Sequence, residues 1–300
     1  MAGPASAAEQ PSWPQFHGPK RDNISRETGL LEQWPDGGPK LLWTAKGLGH
    51  GYSSASVAGG RIYTAGNIDG QTVVTAMDAE GRQLWQHKCG PAWEKPYGGS
   101  RGTPTLDGPW LYYETPHGEV LCLEAATGNK RWGLNIIEEF NSKNIRWGLA
   151  ESLLVDGNRL ICSPCGPEAS LVALDKSSGK LVWKAGSTGD LASYASASLV
   201  EQEGLRILVT LTARSMIGVD ADRGALLWKV KHVSLFDENI LQPVCHDGAV
   251  YVSSLATGSA KWTIEVDGNK AAVKEAWRNR EMDNHHGGVL LLDGHLYGST

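Results

Sequence analysis

Three groupings of residues carry the chemical potential of this sequence. Cys162-Ser163-Pro164-Cys165 has the two-residue spacing of a redox couple or of half a zinc site. It has no second cysteine pair and no neighbouring histidine, so a buried strand cysteine beside an incidental one explains it as simply. A disulfide in an oxidising compartment is the other alternative. His285-His286 suggests a metal ion, but adjacent residues of a strand point to opposite faces. Both rings reach one ion only from a turn, and no metal is expected. The third set is dispersed: Tyr52, Arg101, Arg146, Trp147, Glu151, Tyr194, Gln242, His285 and His286. Arg, Tyr, Trp, Glu, Gln and His converging on one point would suit an anionic or polar ligand. Alternatively, these groups satisfy one another and channel water. Neither a phosphate-cradling glycine loop nor a G-x-S-x-G nucleophile elbow is present. No residue is assigned a catalytic role.

What would bring such a dispersed set together is a repeat. Trp43, Trp85, Trp132, Trp183, Trp228 and Trp277 follow one another at intervals of 42, 47, 51, 45 and 49 residues. Before four of them, at Gly81, Gly128, Gly179 and Gly224, a glycine stands four residues ahead of the tryptophan, with an acid three or four residues before it. The copy around Asp267-Gly268 and Trp277 is degenerate. A second landmark keeps the same period: a glycine turn and a short apolar strand, as at Gly60-Arg61-Ile62-Tyr63 and Gly248-Ala249-Val250-Tyr251. Asp-x-x-x-Gly is turn chemistry, because the carboxylate accepts backbone N–H bonds and glycine takes positive φ. Each period therefore holds four short strands, the first small and polar, the last ending at the tryptophan. Four antiparallel strands per ~45 residues make one propeller blade.

The expected fold is all-β, a β-propeller with blades near residues 50–90, 98–136, 147–187, 193–233 and 239–280. Residues 1–35 read as a leader and extension, and residues 36–300 as the propeller. Lys40–Trp43 is expected to be the outer strand of a partial first blade, and 289–298 to open a partial last one. An eight-blade ring would need roughly 360 residues, so the expectation is an open arc with C-terminal blades missing. The six tryptophans are expected to be structural, each ring covering the next blade's turn while its N–H finds a carbonyl. Glu138-Glu139-Phe140 suggests a helical turn. Loops leading into the innermost strands would place the dispersed set at one mouth of the central channel.

Composition bounds the alternatives. The 300 residues carry a net charge of −5, which argues against a nucleic-acid binder held by phosphate contacts. No apolar run reaches the ~18 residues of a membrane-spanning helix. Five scattered cysteines are not a disulfide framework. Ala5-Ser6-Ala7 fits the small-x-small rule of signal-peptide cleavage, so a periplasmic or extracellular location is expected.

The motif ending in Trp resembles the tryptophan-docking repeat of the pyrroloquinoline-quinone-type (PQQ-like) β-propellers. Leu123–Trp132 and Ala173–Trp183 are close matches. Trp13-Pro14-Gln15-Phe16-His17-Gly18-Pro19 and Gly37–Trp43 look like exported quinoprotein-like propellers of planctomycete-type bacteria. These are similar to alcohol or polyvinyl-alcohol dehydrogenases and to the propeller lipoprotein of outer-membrane assembly. The resemblance implies an eight-bladed ring and either of two functions: a binding or scaffolding module for an unknown protein or small polar ligand, or a quinone-dependent alcohol dehydrogenase. In the dehydrogenases the resemblance implies a quinone held between a Trp and a disulfide of adjacent cysteines, Ca²⁺ held by Glu and Asn, and an Asp base. This sequence has no adjacent cysteines, and no residue here matches those roles, so no cofactor is carried over.

Overall fold

The computed structural model describes residues 12–299; Ala5-Ser6-Ala7 lies outside them. Within them the chain folds into five consecutive four-stranded antiparallel sheets and one two-stranded sheet. The first sheet holds β1 (Ser56–Ala58), β2 (Arg61–Ile68), β3 (Gln71–Asp78) and β4 (Gln83–Pro91). The second holds β5 (Thr105–Asp107), β6 (Trp110–Glu114), β7 (Glu119–Glu124) and β8 (Lys130–Asn135). The third holds β9 (Leu154–Asp156), β10 (Arg159–Cys162), β11 (Val172–Asp175) and β12 (Leu181–Lys184). The fourth holds β13 (Ser198–Gln202), β14 (Leu205–Leu211), β15 (Ser215–Asp220) and β16 (Leu226–Lys231). The fifth holds β17 (Val244–His246), β18 (Ala249–Ser254), β19 (Gly258–Asp267) and β20 (Lys270–Asn279). A final hairpin pairs β21 (Val289–Leu292) with β22 (His295–Gly298). The one α-helical turn, α1 (Ile136–Glu139), is capped by Asn135, whose side chain accepts from Ile137 N and Glu138 N. These are the four-stranded antiparallel blades of a propeller.

Four hydrophobic clusters hold the blades together, one at each junction. Leu111, Leu121 and Leu123 of the second blade pack with Tyr63, Val74 and Ala76 of the first. Tyr112 and Val120 join Leu160, Val172 and Leu174 of the third blade. Corresponding clusters lie between blades three and four and between four and five.

At the outer edge three of the six tryptophans sit on the next blade's turn with their N–H groups bonded, and Trp228 and Trp277 do not. The rings of Trp85, Trp132 and Trp183 lie on Gly128, Gly179 and Gly224 of the following blade, so close that a β-carbon there would sit 2.6–2.7 Å from the indole. Their Nε1 groups donate to the carbonyls of Ala125, Lys176 and Ala221 at 3.0–3.1 Å. The glycines have φ of 71–74°, the left-handed region where a β-carbon is also strained. Asp175 Oδ1 accepts from the N–H groups of Ser177 and Ser178, and Asp220 Oδ1 from those of Asp222 and Arg223, which closes the turns.

Trp228 is the first exception. The fifth blade's β19–β20 connection is a two-residue turn between Asp267 and Lys270, and nothing stands within 4 Å of a β-carbon on Gly268. Trp228 instead lies across Gly218 of its own blade, and its Nε1 has no hydrogen-bond partner. Trp277, the second exception, is 38 % exposed. Trp43 does cover Gly81, but residues 40–43 are not a strand. The expected outer strand is absent because no strand among the described residues offers it a ladder. Leu41 and Leu42 are therefore exposed.

The innermost strands are joined by hydroxyl groups. Ser54 N donates to Thr103 Oγ1, Thr103 N to Ser152 Oγ, and Ser152 N to Ser196 Oγ, at 2.9–3.1 Å. Two residues further along, Ser56, Thr105 and Ser198 donate to the carbonyls of Pro104, Leu153 and Pro243. Near the axis the strands are too close for large side chains, and a buried N–H needs a partner. Ser and Thr meet both needs, which accounts for the small polar strand in every repeat.

The segment before residue 35 is more than a leader. Trp13 exchanges backbone hydrogen bonds with Val57 of β1, and Pro14 O accepts from Leu106 N of β5. Arg21 is buried and donates to the carbonyls of Ser152 and Leu153 and to Oε1 of Gln242. One short segment thus ties the inner strands of blades one, two, three and five from inside the channel.

Candidate functional site

The loops leading into the inner strands bring a second group of side chains together at the channel mouth. Gly51 bridges Ser100 in parallel, and Tyr52 N donates to Ser100 O, which sets Tyr52 beside Arg101. The Arg101 guanidinium lies 5.6 Å from the Tyr52 ring centre and 5.7 Å from that of Trp93. Two of its N–H groups are tied to the carbonyls of Gly99 and Tyr97. Rings on two sides and carbonyls behind hold this cation rigid. Burial pulls its pKa below the usual arginine value, the cost of a partly desolvated charge.

A chain of rings continues from there. Tyr97 meets Trp147 edge-on at 6.0 Å and 74°, and Trp147 meets Tyr194 at 5.9 Å and 41°. Arg146 covers Trp147 with its guanidinium 4.8 Å from the ring centre. The Tyr194 hydroxyl accepts from Trp147 N at 3.4 Å, and Tyr194 N donates to Asn239 O. Burial raises the Tyr194 pKa to about 12, and the carboxylate of Glu238 adds to the rise. Glu238 Oε2 stands 3.4 Å from His285 Nε2, while its Oε1, in a residue only 6 % exposed, has no hydrogen-bond partner. His286 packs beside His285 at 3.8 Å and is itself exposed.

Tyr52, Arg101, Arg146, Trp147, Tyr194 and His285 thus gather at one face, with His286 at its rim. Glu151 and Gln242 lie elsewhere. Glu151 is buried below the mouth, accepting from Ser163 N at 2.8 Å and Ser163 Oγ at 2.9 Å. Gln242 binds Arg21 and Ser198. Their neighbours in space come from the N-terminal segment and from a second strand, which the repeat register does not reveal. Glu114, at the end of β6, is fully buried with neither carboxylate oxygen hydrogen-bonded. Burial first, and the neighbouring Glu151 second, raise its pKa well above the carboxylate range. Burial also lifts Glu151, to about 7, against the opposing pull of Ser163 and Arg21.

Sequence reasoning missed Trp93, Tyr97 and Glu238. The first two announce themselves only as aromatic residues in the Gly- and Pro-rich connection before blade two. Glu238 precedes Asn239 and carries no local signal at all. Cys162 and Cys165 are buried free thiols, and Cys165 Sγ lies 3.2 Å from Ser170 O.

The residues present do not fit a quinone with Ca²⁺. The five cysteines are free and none is adjacent to another, and the mouth rings meet at 41° and 74°, leaving no parallel slot for a flat heterocycle. Among the described residues no three His, Cys, Asp or Glu side chains are grouped for a metal ion, and Ca²⁺ asks for six to eight oxygen ligands. No helix among them is long and apolar enough to cross a membrane.

Comparison with solved structures places the architecture. The chain is 15 % identical to the quinohemoprotein alcohol dehydrogenase of Comamonas testosteroni, with TM-score 0.59 over 90 % of this chain and 50 % of that one. It therefore spans about half the length of that enzyme. BamB from Moraxella catarrhalis aligns at 15 % identity over 77 % of this chain and 73 % of that one, with TM-score 0.49. The computationally designed Ika8 protein aligns at 9 % identity over 81 % and 66 %, with TM-score 0.53. At these identities the likeness is one of fold. No curated protein sequence matches the chain. A family model does match, over residues 69–300, from the third strand of the first blade to the final hairpin and including Trp85, Trp132, Trp183, Trp228 and Trp277: the chain belongs to the PQQ-like repeat propeller family described as outer membrane protein assembly factor BamB.

Proposed function

We propose that this protein is a binding propeller that works outside the cytoplasm and takes a polar ligand bearing an anionic group at its channel mouth. The observation that carries the reading is the state of Arg101 and Arg146. Both stand at the mouth on aromatic faces, and among the described residues neither has a carboxylate partner. A protein of net charge −5 holds two cations where its inner strands converge. A guanidinium fixed by rings and carbonyls is pre-organised for an anion at little further entropic cost. The location is supported by the family's outer-membrane description and by Ala5-Ser6-Ala7.

The test is a thermal-shift titration with organic anions. A ligand that binds the folded state alone raises the melting temperature with concentration. The reading expects such a rise, lost in Arg101→Gln. If no anion produces it, the reading fails. The rival function, quinone-dependent alcohol oxidation, is tested by adding the quinone with Ca²⁺ and following alcohol-dependent dye reduction. Robust turnover would replace this reading with the rival.

A further inference from the structure

Resting on that reading, the mouth's geometry narrows the ligand class: we infer that the site binds an acidic pyranose, a sugar ring carrying a carboxylate or sulfate. Three features select it together.

The first is the shape of the aromatic surface. Tyr97, Trp147 and Tyr194 are exposed or half-exposed and meet one another at 74° and 41°. Such rings form a faceted wall of tilted faces. A planar heteroaromatic ligand wants a flat face or a parallel slot. A puckered pyranose presents C–H groups on both faces in several directions, and those C–H groups pack on the faces of tilted rings.

The second is charge. Arg101 keeps free N–H groups after its bonds to Gly99 and Tyr97, and Arg146 makes no hydrogen bond through its guanidinium to any described residue. Arginine's planar fork matches an oxyanion with two parallel bonds. A neutral sugar would leave both cations unpaired on burial.

The third is an acceptor without a donor. Glu238 Oε1 is buried and unpartnered beside Tyr194, and His285 Nε2 faces only the same carboxylate, at 3.4 Å. A ligand hydroxyl that displaces the half-exposed His285 side chain supplies the missing donor. A simple organic anion would satisfy the arginines and leave Glu238 as it is. Anion, C–H faces and hydroxyls occur together in an acidic sugar.

The experiment is calorimetric titration of the protein with four probes: trigalacturonate, a sulfated galactose trisaccharide, neutral maltotriose and acetate. Either or both acidic sugars are expected to bind at least tenfold more tightly than maltotriose and acetate, and to change tryptophan fluorescence. Arg146→Gln, an exposed position that leaves the fold intact, should weaken binding several-fold. Trp147→Leu and Arg101→Lys should each weaken it at least tenfold, with circular dichroism confirming that each variant is folded. Which acidic probe binds identifies the carboxylate or the sulfate as the group read. Maltotriose or acetate binding as tightly as the acidic sugars, with dependence on Arg101, overturns the sugar class and leaves the mouth as a binding site. Binding indifferent to Arg101, Arg146 and Trp147 overturns the placement. No binding of any probe overturns the inference, and the broader anion titration then decides the parent reading.

Discussion

Alanine at Gly128 should separate the two reasons for glycine in the docking turn. At φ 74° any β-carbon is strained, and here it would also lie 2.6 Å from Cε3 of Trp85. The backbone component costs roughly 1–2 kcal/mol. Forcing a methyl group into a packed ring face adds about 1–3 kcal/mol. Gly268 supplies the control, because it occupies the third-to-fourth strand turn of blade five at φ 61° with nothing within 4 Å of its β-carbon. Gly268→Ala should therefore cost only the backbone share, roughly 1–2 kcal/mol. Urea unfolding followed by far-ultraviolet circular dichroism reads both, the midpoint giving the change where the slope is unchanged. In the background of Trp85→Ala, itself about 3–5 kcal/mol destabilising, Gly128→Ala should fall to the cost of Gly268→Ala. Equal costs for the two glycine variants in the native background, or no coupling with Trp85, would refute the docking argument.

Other expectations follow from the interior. Removing the Ser152 hydroxyl with Ser152→Ala strands the buried Thr103 N–H and should cost about 1–3 kcal/mol, measured by the same unfolding curves. Trp183→Ala should destabilise by about 3–5 kcal/mol, whereas Trp277→Ala, at a 38 % exposed ring, should cost about two thirds of that by area. Glu151 has a folded pKa raised from 4.5 to about 7, so the folded state binds the extra proton between those values. Its contribution to stability is accordingly present below pH 4.5 and lost as pH rises through 7, and Glu151→Gln should remove that downward slope from a pH series of unfolding midpoints. His232 acts in the opposite direction: burial lowers its pKa to about 4, so stability contributed above pH 6.5 is lost as pH falls through 4. His232→Gln should flatten that acid limb.

The blades were legible because their punctuation is local. An Asp that closes a turn, a glycine at positive φ and a tryptophan four residues later lie within one hairpin, so repeat and structure share a register. The mouth was half legible for the same reason. Tyr52, Arg101 and Tyr194 lie just ahead of or at the head of inner strands, and blade register alone brings them together. Trp93 and Tyr97 belong to a connection of no fixed length, and Glu238 to a loop whose neighbours come from the chain's end. Glu151 and Gln242 were read as mouth residues because register cannot see depth. Their partners are Ser163 at the end of a second strand and Arg21 in a segment with no repeat to index it. The failed docking of Trp228 was foreshadowed by the degenerate motif at Asp267-Gly268, where a two-residue turn replaces the longer one that would offer a ring its seat.

That missing seat has a mechanical consequence. Blades four and five are pinned near the axis, where Ser198 Oγ donates to Pro243 O and accepts from Gln242 Nε2. At their outer edge no indole latches one to the other, and a groove lined by Leu226, Leu227, Val266 and Ala271 runs between them. The rim of this joint is closed instead by non-directional apolar contact, with Trp228 packed in the cluster that holds Ile264 and Ala271 of blade five. The connection crossing it carries Glu238 and Asn239, and Asn239 O holds the backbone of Tyr194. The one junction among these blades whose tryptophan N–H finds no carbonyl is thus also the one whose connection brings the Glu238 carboxylate to the mouth.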